Sequence, residues 1–161
     1  SIPPEKISRP RRHISQEFSV DPLALSLAGD VMTPDPPPLP ADLSIRAALL
    51  FFERDAVHRS YPVVDGEGHP LALVSRADAL RWRHDGDAAS GTLRDTLSDV
   101  SLPLASLDTP SDAIANLMIT ENTGRVCVID DAGRIAGIVA RRDLLRPRAA
   151  ALEGERERSK G

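Results

Sequence analysis

The chain has 161 residues, 41% of them hydrophobic and 27% charged, which is ordinary for a soluble globular protein. Its formal net charge of −4 gives no overall basic surface, so we expect no nucleic-acid partner. A single cysteine, Cys127, excludes an internal disulfide and a cysteine-rich metal site, and no apolar run approaches the ~18–20 residues that span a bilayer.

Residues 1–29 differ from the rest of the chain and are predicted to form a linker or an extended arm. Residues 6–14 are basic, with prolines nearby. Asp21-Pro22 fits the start of a short helical turn, because proline is favoured at the first helical position. No signal peptide is visible, and the low cysteine count indicates an intracellular chain. Cys127 itself lies in an apolar strand pattern, which predicts a small buried core residue.

The first structural unit is expected over residues 30–83. It opens with Asp30-Val31-Met32-Thr33. The proline-dense stretch that follows, residues 34–40, must be extended, because proline restricts its own backbone and that of the residue before it. A helix is predicted from Ser44 to about Asp55, with Asp42 or Ser44 as its N-cap.

Two strands and a second helix complete this unit. The strands are Tyr61–Val64 and Leu71–Val74, and the Asp-Gly-Glu-Gly sequence of residues 65–68 between them predicts a hairpin turn. The carboxylates of this turn are better explained by turn chemistry than by a cation site. Ser75 then precedes a helix that is predicted from Arg76 to about Trp82.

A second unit, expected over residues 96–148, repeats the same order. Its predicted elements are a helix that opens at Asp108-Thr109-Pro110, strands at Val126–Ile129 and Ile135–Val139, and a helix from Arg141 to Leu145. The first of these helices carries apolar residues on one face at helical spacing. A linker over residues 84–95 separates the two units, and a flexible charged tail over residues 149–161 follows the second.

The two units are copies of each other, offset by 65 residues. Val63 matches Val128, and Asp78 matches Asp143. Each unit reads β-α-β-β-α over about 50 residues, which is too short to bury a stable core alone. We therefore expect an α/β (α+β) fold in which two units pack through their sheets around a pseudo-twofold axis, with a ligand cleft between the copies.

Four motifs in this order carry a resemblance to a known family. They are Asp30-Val31-Met32-Thr33, Tyr61-Pro62-Val63-Val64-Asp65, Leu73-Val74-Ser75-Arg76-Ala77-Asp78 and Gly137-Ile138-Val139-Ala140-Arg141-Arg142-Asp143. Together with the duplication, they resemble a tandem cystathionine-β-synthase (CBS) domain pair, the Bateman module. The resemblance covers residues 30–148 and implies the paired fold described above.

The arm carries a second, shorter resemblance. Its segments are Lys6-Ile7, Arg11-Arg12-His13-Ile14 and Phe18-Ser19-Val20-Asp21-Pro22-Leu23. They resemble the join between the last membrane helix and the CBS pair in ClC-type chloride channels and transporters. The resemblance implies the regulatory domain of a prokaryotic ClC protein, on the cytoplasmic side of the cell membrane. Its partners would be a second copy, since ClC proteins are dimeric, and the chain's own transmembrane ClC domain.

Ser75 and Asp78 stand at a predicted strand-to-helix junction, where unpaired N–H groups and partial positive charge attract phosphate. The resemblance implies that such a serine adds a hydrogen bond and that such an aspartate accepts from both hydroxyls of a ribose. The other unit would complete this cleft with Asn122, Thr123 and Val126. The alternative is that Ser75 and Asp78 only cap their helix.

The second copy departs from this pattern at the same junction. Ala140 replaces the serine, whereas Asp143 remains and Arg142 adds positive charge beside it. The ClC resemblance pairs Asp143 with the residues before the first unit's strand, which here are His58, Arg59 and Tyr61. We expect His58 to stack on adenine and Arg59 to offer backbone or charge. The alternative for His58 is a surface residue at the end of a helix.

The ligand that the resemblance implies is an adenine nucleotide, namely ATP, ADP or AMP. The four histidines are scattered without metal-ligand spacing, and the sequence has no nucleophile elbow and no P-loop. We therefore predict no catalytic residue and no metal site, and we do not expect an enzyme.

Two alternatives stay open beside the ClC regulatory domain. One is a free-standing CBS-pair nucleotide sensor, and the other is a ligand-free structural module for dimerisation. Apolar helix faces left over after the two units pair are expected to drive formation of a homodimer. If a nucleotide binds, it would act by favouring one arrangement of the two units over another.

Overall fold

The computed structural model describes residues 25–86, 90–97 and 101–145. In chain order the elements are α1 Ala28–Val31, β1 Thr33–Pro34, β2 Leu39–Pro40, α2 Ile45–Arg54, β3 Ser60–Val64, β4 Pro70–Ser75, α3 Arg76–His84, α4 Leu93–Thr96, β5 Leu104–Ser106, α5 Ser111–Thr120, β6 Arg125–Ile129 and β7 Ile135–Ala140. A last helix, α6, is described over residues 141–145. The predicted turn at Asp21-Pro22 and the charged tail lie outside these ranges.

Helix α2 forms because its first residues are capped and one of its faces is apolar. Ser44 is the N-cap, and its hydroxyl accepts a hydrogen bond of 3.1 Å from the backbone N–H of Ala47. Ile45, Ala48 and Phe52 follow at helical spacing and are buried. Of the two caps that the sequence allowed, the structure therefore has Ser44.

Both predicted hairpins are present, and aspartates hold their turns. The Asp65 carboxylate accepts from the backbone N–H groups of Glu67 and His69 at 2.8 and 3.0 Å. Gly68 has a φ of +87°, a conformation that glycine adopts without strain. Asp130 makes the equivalent bonds in the second turn. The carboxylates thus serve the turns, and no cluster of metal-ligating side chains occurs within the described ranges.

The strands form two sheets. In the first sheet the order is β2-β3-β4, with β2 parallel to β3 and β3 antiparallel to β4. In the second sheet the order is β1-β7-β6-β5, with β5 parallel to β6 and the other pairs antiparallel. This mixed α/β architecture of two sheets and flanking helices confirms the predicted fold class.

Elements α1 and β1 pack against the second half of the chain, although they precede the first hairpin. Thr33 of β1 lies opposite Ile138 of β7, and Ala28 of α1 is fully buried in the core formed by β5, α5, β6 and β7. The predicted boundaries place residues 28–29 in the arm and residues 30–34 in the first unit. Sequence order does not reveal which sheet edge is available for pairing. The edge of β7 is available because Gly137 has no side chain that would prevent β1 from approaching it.

Element α4 makes the reciprocal crossing. Leu93 is fully buried in the core of the first half, together with residues of α2, β3 and β4. Its backbone N–H donates to the carbonyl oxygen of Leu43 at 2.9 Å, and the N–H of Arg94 donates to that of Ala41 at 2.9 Å. Each hydrophobic core is therefore completed by a short helix that precedes the other half in sequence, and Leu93, predicted to lie in the linker, is part of the first core.

The two cores are built mainly from aliphatic side chains, as the low aromatic content requires. Three aromatic rings cluster in the first core, where Phe51, Phe52 and Tyr61 meet edge to face at centroid distances between 4.9 and 5.7 Å. Cys127 is fully buried beside the second core, which confirms the predicted core residue. No helix in the described part of the chain is long and apolar enough to cross a bilayer.

Candidate functional site

A cavity of about 460 Å³ lies between the two halves of the molecule. Its volume falls in the range of about 300–1,000 Å³ that is usual for small-molecule sites. Its lining residues are Thr33, Pro34, Asp35, Pro36, Pro37, Val57, His58, Arg59, Ser60, Arg125, Ile138, Ala140, Arg142 and Asp143. Both halves therefore contribute to its wall, and four of the predicted site residues meet there: His58, Arg59, Arg142 and Asp143.

The crossing of β1 positions one wall of this cavity. After β1 pairs with β7, the backbone N–H of Asp35 donates to the carbonyl oxygen of Ala136 at 3.0 Å, which fixes the proline-rich segment 34–37 beside the sheet. Prolines have a restricted φ angle, so this wall is stiff as well as apolar. The segment was predicted only to be extended, and its place in the cavity is a finding of the structure.

Asp143 gives the cavity a buried carboxylate. Its relative exposure is 3%, and one carboxylate oxygen accepts a hydrogen bond of 2.8 Å from the backbone N–H of Ala140 at the end of β7. Burial of a charged group is costly unless polar partners surround it. A carboxylate held in this way at a cavity wall can accept hydrogen bonds from the hydroxyl groups of a ligand.

Three arginines, Arg59, Arg125 and Arg142, line the same cavity. Partial burial lowers the pKa of Arg125, and the positive charges of Arg59 and Arg142 lower it further. Like charges gathered in a cleft create a positive potential that attracts anions, and arginine is suited to bind phosphate through two parallel hydrogen bonds.

His58 lines the cavity, and Tyr61 supports it from the core. The Tyr61 side chain is buried, and its hydroxyl oxygen accepts from the backbone N–H groups of Val57 and His58 at 2.8 and 2.9 Å. These bonds hold the bend that carries His58 and Arg59. The His58 ring is exposed, with its centroid 5.6 Å from that of Tyr61. Tyr61 thus positions the wall from the core, whereas His58 presents its ring at the surface.

Ser75 and Asp78, predicted for the other cleft, are engaged in capping α3. Asp78 accepts from the backbone N–H and the hydroxyl of Ser75 at 2.7 and 3.0 Å, and its second carboxylate oxygen accepts from Arg81. The Ser75 hydroxyl oxygen in turn accepts from the backbone N–H of Asp78 at 3.3 Å. This arrangement is a capping box, in which both side chains satisfy the start of the helix.

The predicted partners of that cleft follow the end of α5. Asn122 is exposed and has a φ of +51°, a left-handed conformation that asparagine tolerates. The Thr123 hydroxyl donates to the carbonyl oxygen of Arg125 at 3.1 Å. Val126 is fully buried in the second core, so its side chain serves packing. The structure gathers the residues of the Asp143 cleft around one cavity and leaves those of the Ser75 cleft in local roles.

Comparison with known proteins decides the family. A family model described as the CBS domain matches residues 28–85 and 97–149. The chain belongs to the CBS domain family. A CBS domain-containing protein of Dictyostelium discoideum is 30% identical over 115 residues, which cover 65% of this chain and 78% of that protein.

Solved structures share the fold of this CBS pair. The cytosolic domain of the Mg²⁺ channel MgtE, solved in complex with ATP, aligns with a TM-score of 0.63 and 24% identity over 74% of this chain; the CBS pair spans 48% of that chain. CBSX2, solved in complex with AMP, aligns with a TM-score of 0.62 and 24% identity over 80% of this chain and 98% of its own. At this identity the likeness concerns the fold.

Sequence reasoning missed two charged residues of the CBS pair's cavity, Asp35 and Arg125. Arg125 stands one residue before the predicted strand Val126–Ile129, and β6 begins there. A signal existed in the repeat, because the first copy has Ser60 at the matching position. The substitution of a serine by an arginine at the start of an otherwise apolar strand marks a place where the two copies differ in charge.

Proposed function

We propose that this CBS pair is a regulatory module that binds an adenine nucleotide, ATP, ADP or AMP, in the cavity between its two halves. The observation that carries the proposal is the meeting of a buried carboxylate, Asp143, with three arginines in one cavity of about 460 Å³. The complexes of CBSX2 with AMP and of MgtE with ATP support the same class of ligand.

Each part of a nucleotide has matching residues in the wall of the cavity. The hydroxyls of a ribose would donate to the carboxylate of Asp143. The adenine ring would lie against the proline-rich segment 34–37 and Val57, with the His58 ring available for stacking. The phosphates would bind the guanidinium groups, for which arginine is well suited because of its planar fork of donors. This division assigns the adenine to the first half and the ribose to the second, while both halves supply arginines for the phosphates.

The cleft of Ser75 and Asp78 is the weaker candidate. Asp143 accepts the equivalent backbone bond, so what separates the two clefts is the cavity, which three arginines line beside Asp143 and which neither Ser75 nor Asp78 lines. We therefore propose that nucleotide occupies the Asp143 cleft first. The two copies of the repeat would then contribute unequally to binding.

Titration calorimetry with ATP, ADP and AMP tests this assignment. Asp143→Asn keeps the size of the side chain and removes its charge, and Asp78→Asn is the matched control in the other copy. Loss of a charge-assisted hydrogen bond costs about 1.5–3 kcal/mol, which is roughly a tenfold to hundredfold loss of affinity. We expect this loss for Asp143→Asn alone. The proposal is wrong if no adenine nucleotide binds or if Asp143→Asn leaves the affinity unchanged.

We also propose that the module forms a homodimer through its helices. Large apolar side chains remain exposed on four of them: Leu50 on α2, Leu80 on α3, Ile119 on α5 and Leu145 on α6. Exposed apolar groups in this number favour association. Light scattering after gel filtration should give a dimer that Ile119→Asp weakens, and a monomeric parent protein would contradict the proposal.

A ClC-type transporter remains our proposal for the parent protein, supported by the resemblance of the arm. That arm lies outside the described residues, and a free-standing nucleotide sensor fits the fold and the cavity equally well. The reading frame upstream of Ser1 distinguishes the two. Membrane-spanning helices there support the ClC proposal, and a start codon contradicts it. If no nucleotide binds, neither the ClC domain nor a free-standing protein acts as a nucleotide sensor, and the third alternative, a structural dimerisation module, replaces both proposals.

A further inference from the structure

The two copies of the repeat differ in charge at three positions that line the cavity. The three cavity arginines have uncharged residues at the matching positions 65 residues away: Gly124 for Arg59, Ser60 for Arg125 and Ala77 for Arg142. The repeat therefore offers three guanidinium groups to one cleft and none at the same positions of the other. This difference is a property of the chain's own sequence and is independent of the family fold.

We propose that the Asp143 cavity selects ligands with two or more linked phosphates, so that it binds ATP and ADP in preference to AMP. The inference rests on the proposed nucleotide function and adds to it the class of nucleotide. It also predicts that a cationic adenosine compound such as S-adenosylmethionine binds weakly, because its sulfonium charge would enter a positively charged site.

The number of guanidinium donors in the cavity supports this selectivity. Asp35 and Asp143 also line the cavity and offset two of the three arginine charges, so the preference rests on the hydrogen bonds that the three guanidinium groups can donate and not on net charge. The Asp143 carboxylate is held against the backbone at Ala140, beside the site of the ribose. A single phosphate bears at most two charges and can present only a few oxygens at once. A chain of phosphates offers oxygens to several guanidinium groups and neutralises more of their repulsion.

The positions of the three arginines also support the selection of linked phosphates. Arg59 belongs to the first half, just before β3, whereas Arg125 and Arg142 belong to the second half, at the start of β6 and in α6. An extended phosphate chain can contact guanidinium groups from both halves of the chain more readily than one phosphate group can. A polyphosphate would therefore bridge the two halves. Partial burial of Arg125 among like charges, which lowers its pKa, is consistent with a site that an anion completes.

The decisive measurement is the ratio of the ATP and AMP affinities at one ionic strength. We expect ATP to bind at least about tenfold more tightly than AMP, with ADP between them, because each charge-assisted bond is worth roughly that factor. Equal affinities for ATP and AMP would overturn the inference and leave the nucleotide function standing. Absence of binding by every adenine nucleotide would instead overturn the proposed function.

Replacement of Arg125 and Arg142 by the residues at the matching positions of the other copy tests whether these groups carry the preference for ATP over AMP. Arg125→Ser and Arg142→Ala should each lower the ATP affinity about tenfold, while the AMP affinity changes by less than about threefold. Arg46→Ala, on the exposed surface of α2, is the matched control for loss of one positive charge and should change neither. An unchanged ATP to AMP ratio in both cavity variants would overturn the inference.

Two measurements on the unaltered protein do not depend on whether the variants fold. Added salt should weaken ATP binding more steeply than AMP binding, because more charge is buried with the longer phosphate chain. Inorganic triphosphate should displace bound ATP, since it reaches the same arginines without the adenosine. Equal salt dependence for the two nucleotides, or failure of triphosphate to compete, would count against the inference.

Discussion

The imidazole Nε2 of His69 lies 3.2 Å from the carbonyl oxygen of Ala132, and this hydrogen bond joins the tips of the two hairpins. The other ring nitrogen, Nδ1, faces the Asp65 carboxylate at 3.2 Å. A backbone bond lies beside them, in which the N–H of Ile135 donates to the carbonyl oxygen of Gly68 at 3.0 Å. The turns of the two copies are therefore bonded to each other as well as internally.

Removal of the His69 side chain should loosen this contact. His69→Ala deletes the bond to Ala132 and the contact with Asp65, and we expect the free energy of unfolding to fall by about 1 kcal/mol, the usual net value of such a bond. Urea denaturation followed by circular dichroism measures the change. Glu67→Ala is the control in the same turn, because only the backbone N–H of Glu67 is used there. Equal effects of the two substitutions would contradict this role for the imidazole.

Acid should weaken the same turn through Asp65. Backbone N–H groups of His69 and Glu67 donate to its carboxylate and, with the nearby charge of His69, hold its pKa below the ordinary value of 3.8. A lowered pKa in the folded state stabilises the fold above the unfolded value, and this contribution is lost as pH falls through the folded pKa. Asp65→Asn has no charge to lose. The stability difference between the parent and Asp65→Asn should therefore shrink below about pH 4, and a constant difference would refute the prediction.

Local sequence signals predicted the hairpins and helices well, because turns and caps are decided by neighbouring residues. Asp65 and Gly68 specify their turn wherever it occurs, and Ser44 caps α2 through a bond three residues away. The packing of α1 and β1 on the second half was not predictable in this way. It depends on a free sheet edge more than 100 residues further along the chain, at Gly137.

The candidate site was predicted in part for the same reason. Asp143 and His58 stand in recognisable motifs, and the structure brings them to one cavity. Arg125 stands at the start of a strand, where sequence alone favours a flanking role. Its importance emerges only when Arg59 and Arg142, which are distant in sequence, lie around the same space. Charged residues that come together only in the folded chain cannot be recognised as one site when each segment is analysed separately.

Gly137 should not tolerate a side chain. A methyl group there would lie 2.8 Å from the carbonyl oxygen of Thr33 and would collide with the Met32 side chain. Gly137→Ala must therefore push β1 away from β7, and overpacking of this kind costs about 1–3 kcal/mol. Thermal and urea unfolding measure the loss. Gly66→Ala is the matched control, because no atom lies within 4 Å of the added methyl group, and a comparable loss in both variants would argue against a specific clash.

Cys127 should be inert in the folded protein. Its thiol is fully buried, and burial raises its pKa to about 12, so almost no reactive thiolate exists near neutral pH. We expect a thiol reagent such as DTNB to react with the native chain only at the rate at which the chain opens, and at once in denaturant. Rapid labelling of the native protein would show that the second core is more open than the structure describes.

Because α1 and β1 pack on the second half of the chain, the units of the sequence repeat are not the units that pack together in the fold. A cut through the linker near residue 88 would leave the later fragment without the strand that pairs with β7, and the earlier one without the helix that carries Leu93. The crossing also determines which part of the molecule first receives a force that is applied to the chain ahead of Ala28. A pull on the chain ahead of Ala28 would load α1, β1 and the pairing of β1 with β7 before it reached the first sheet.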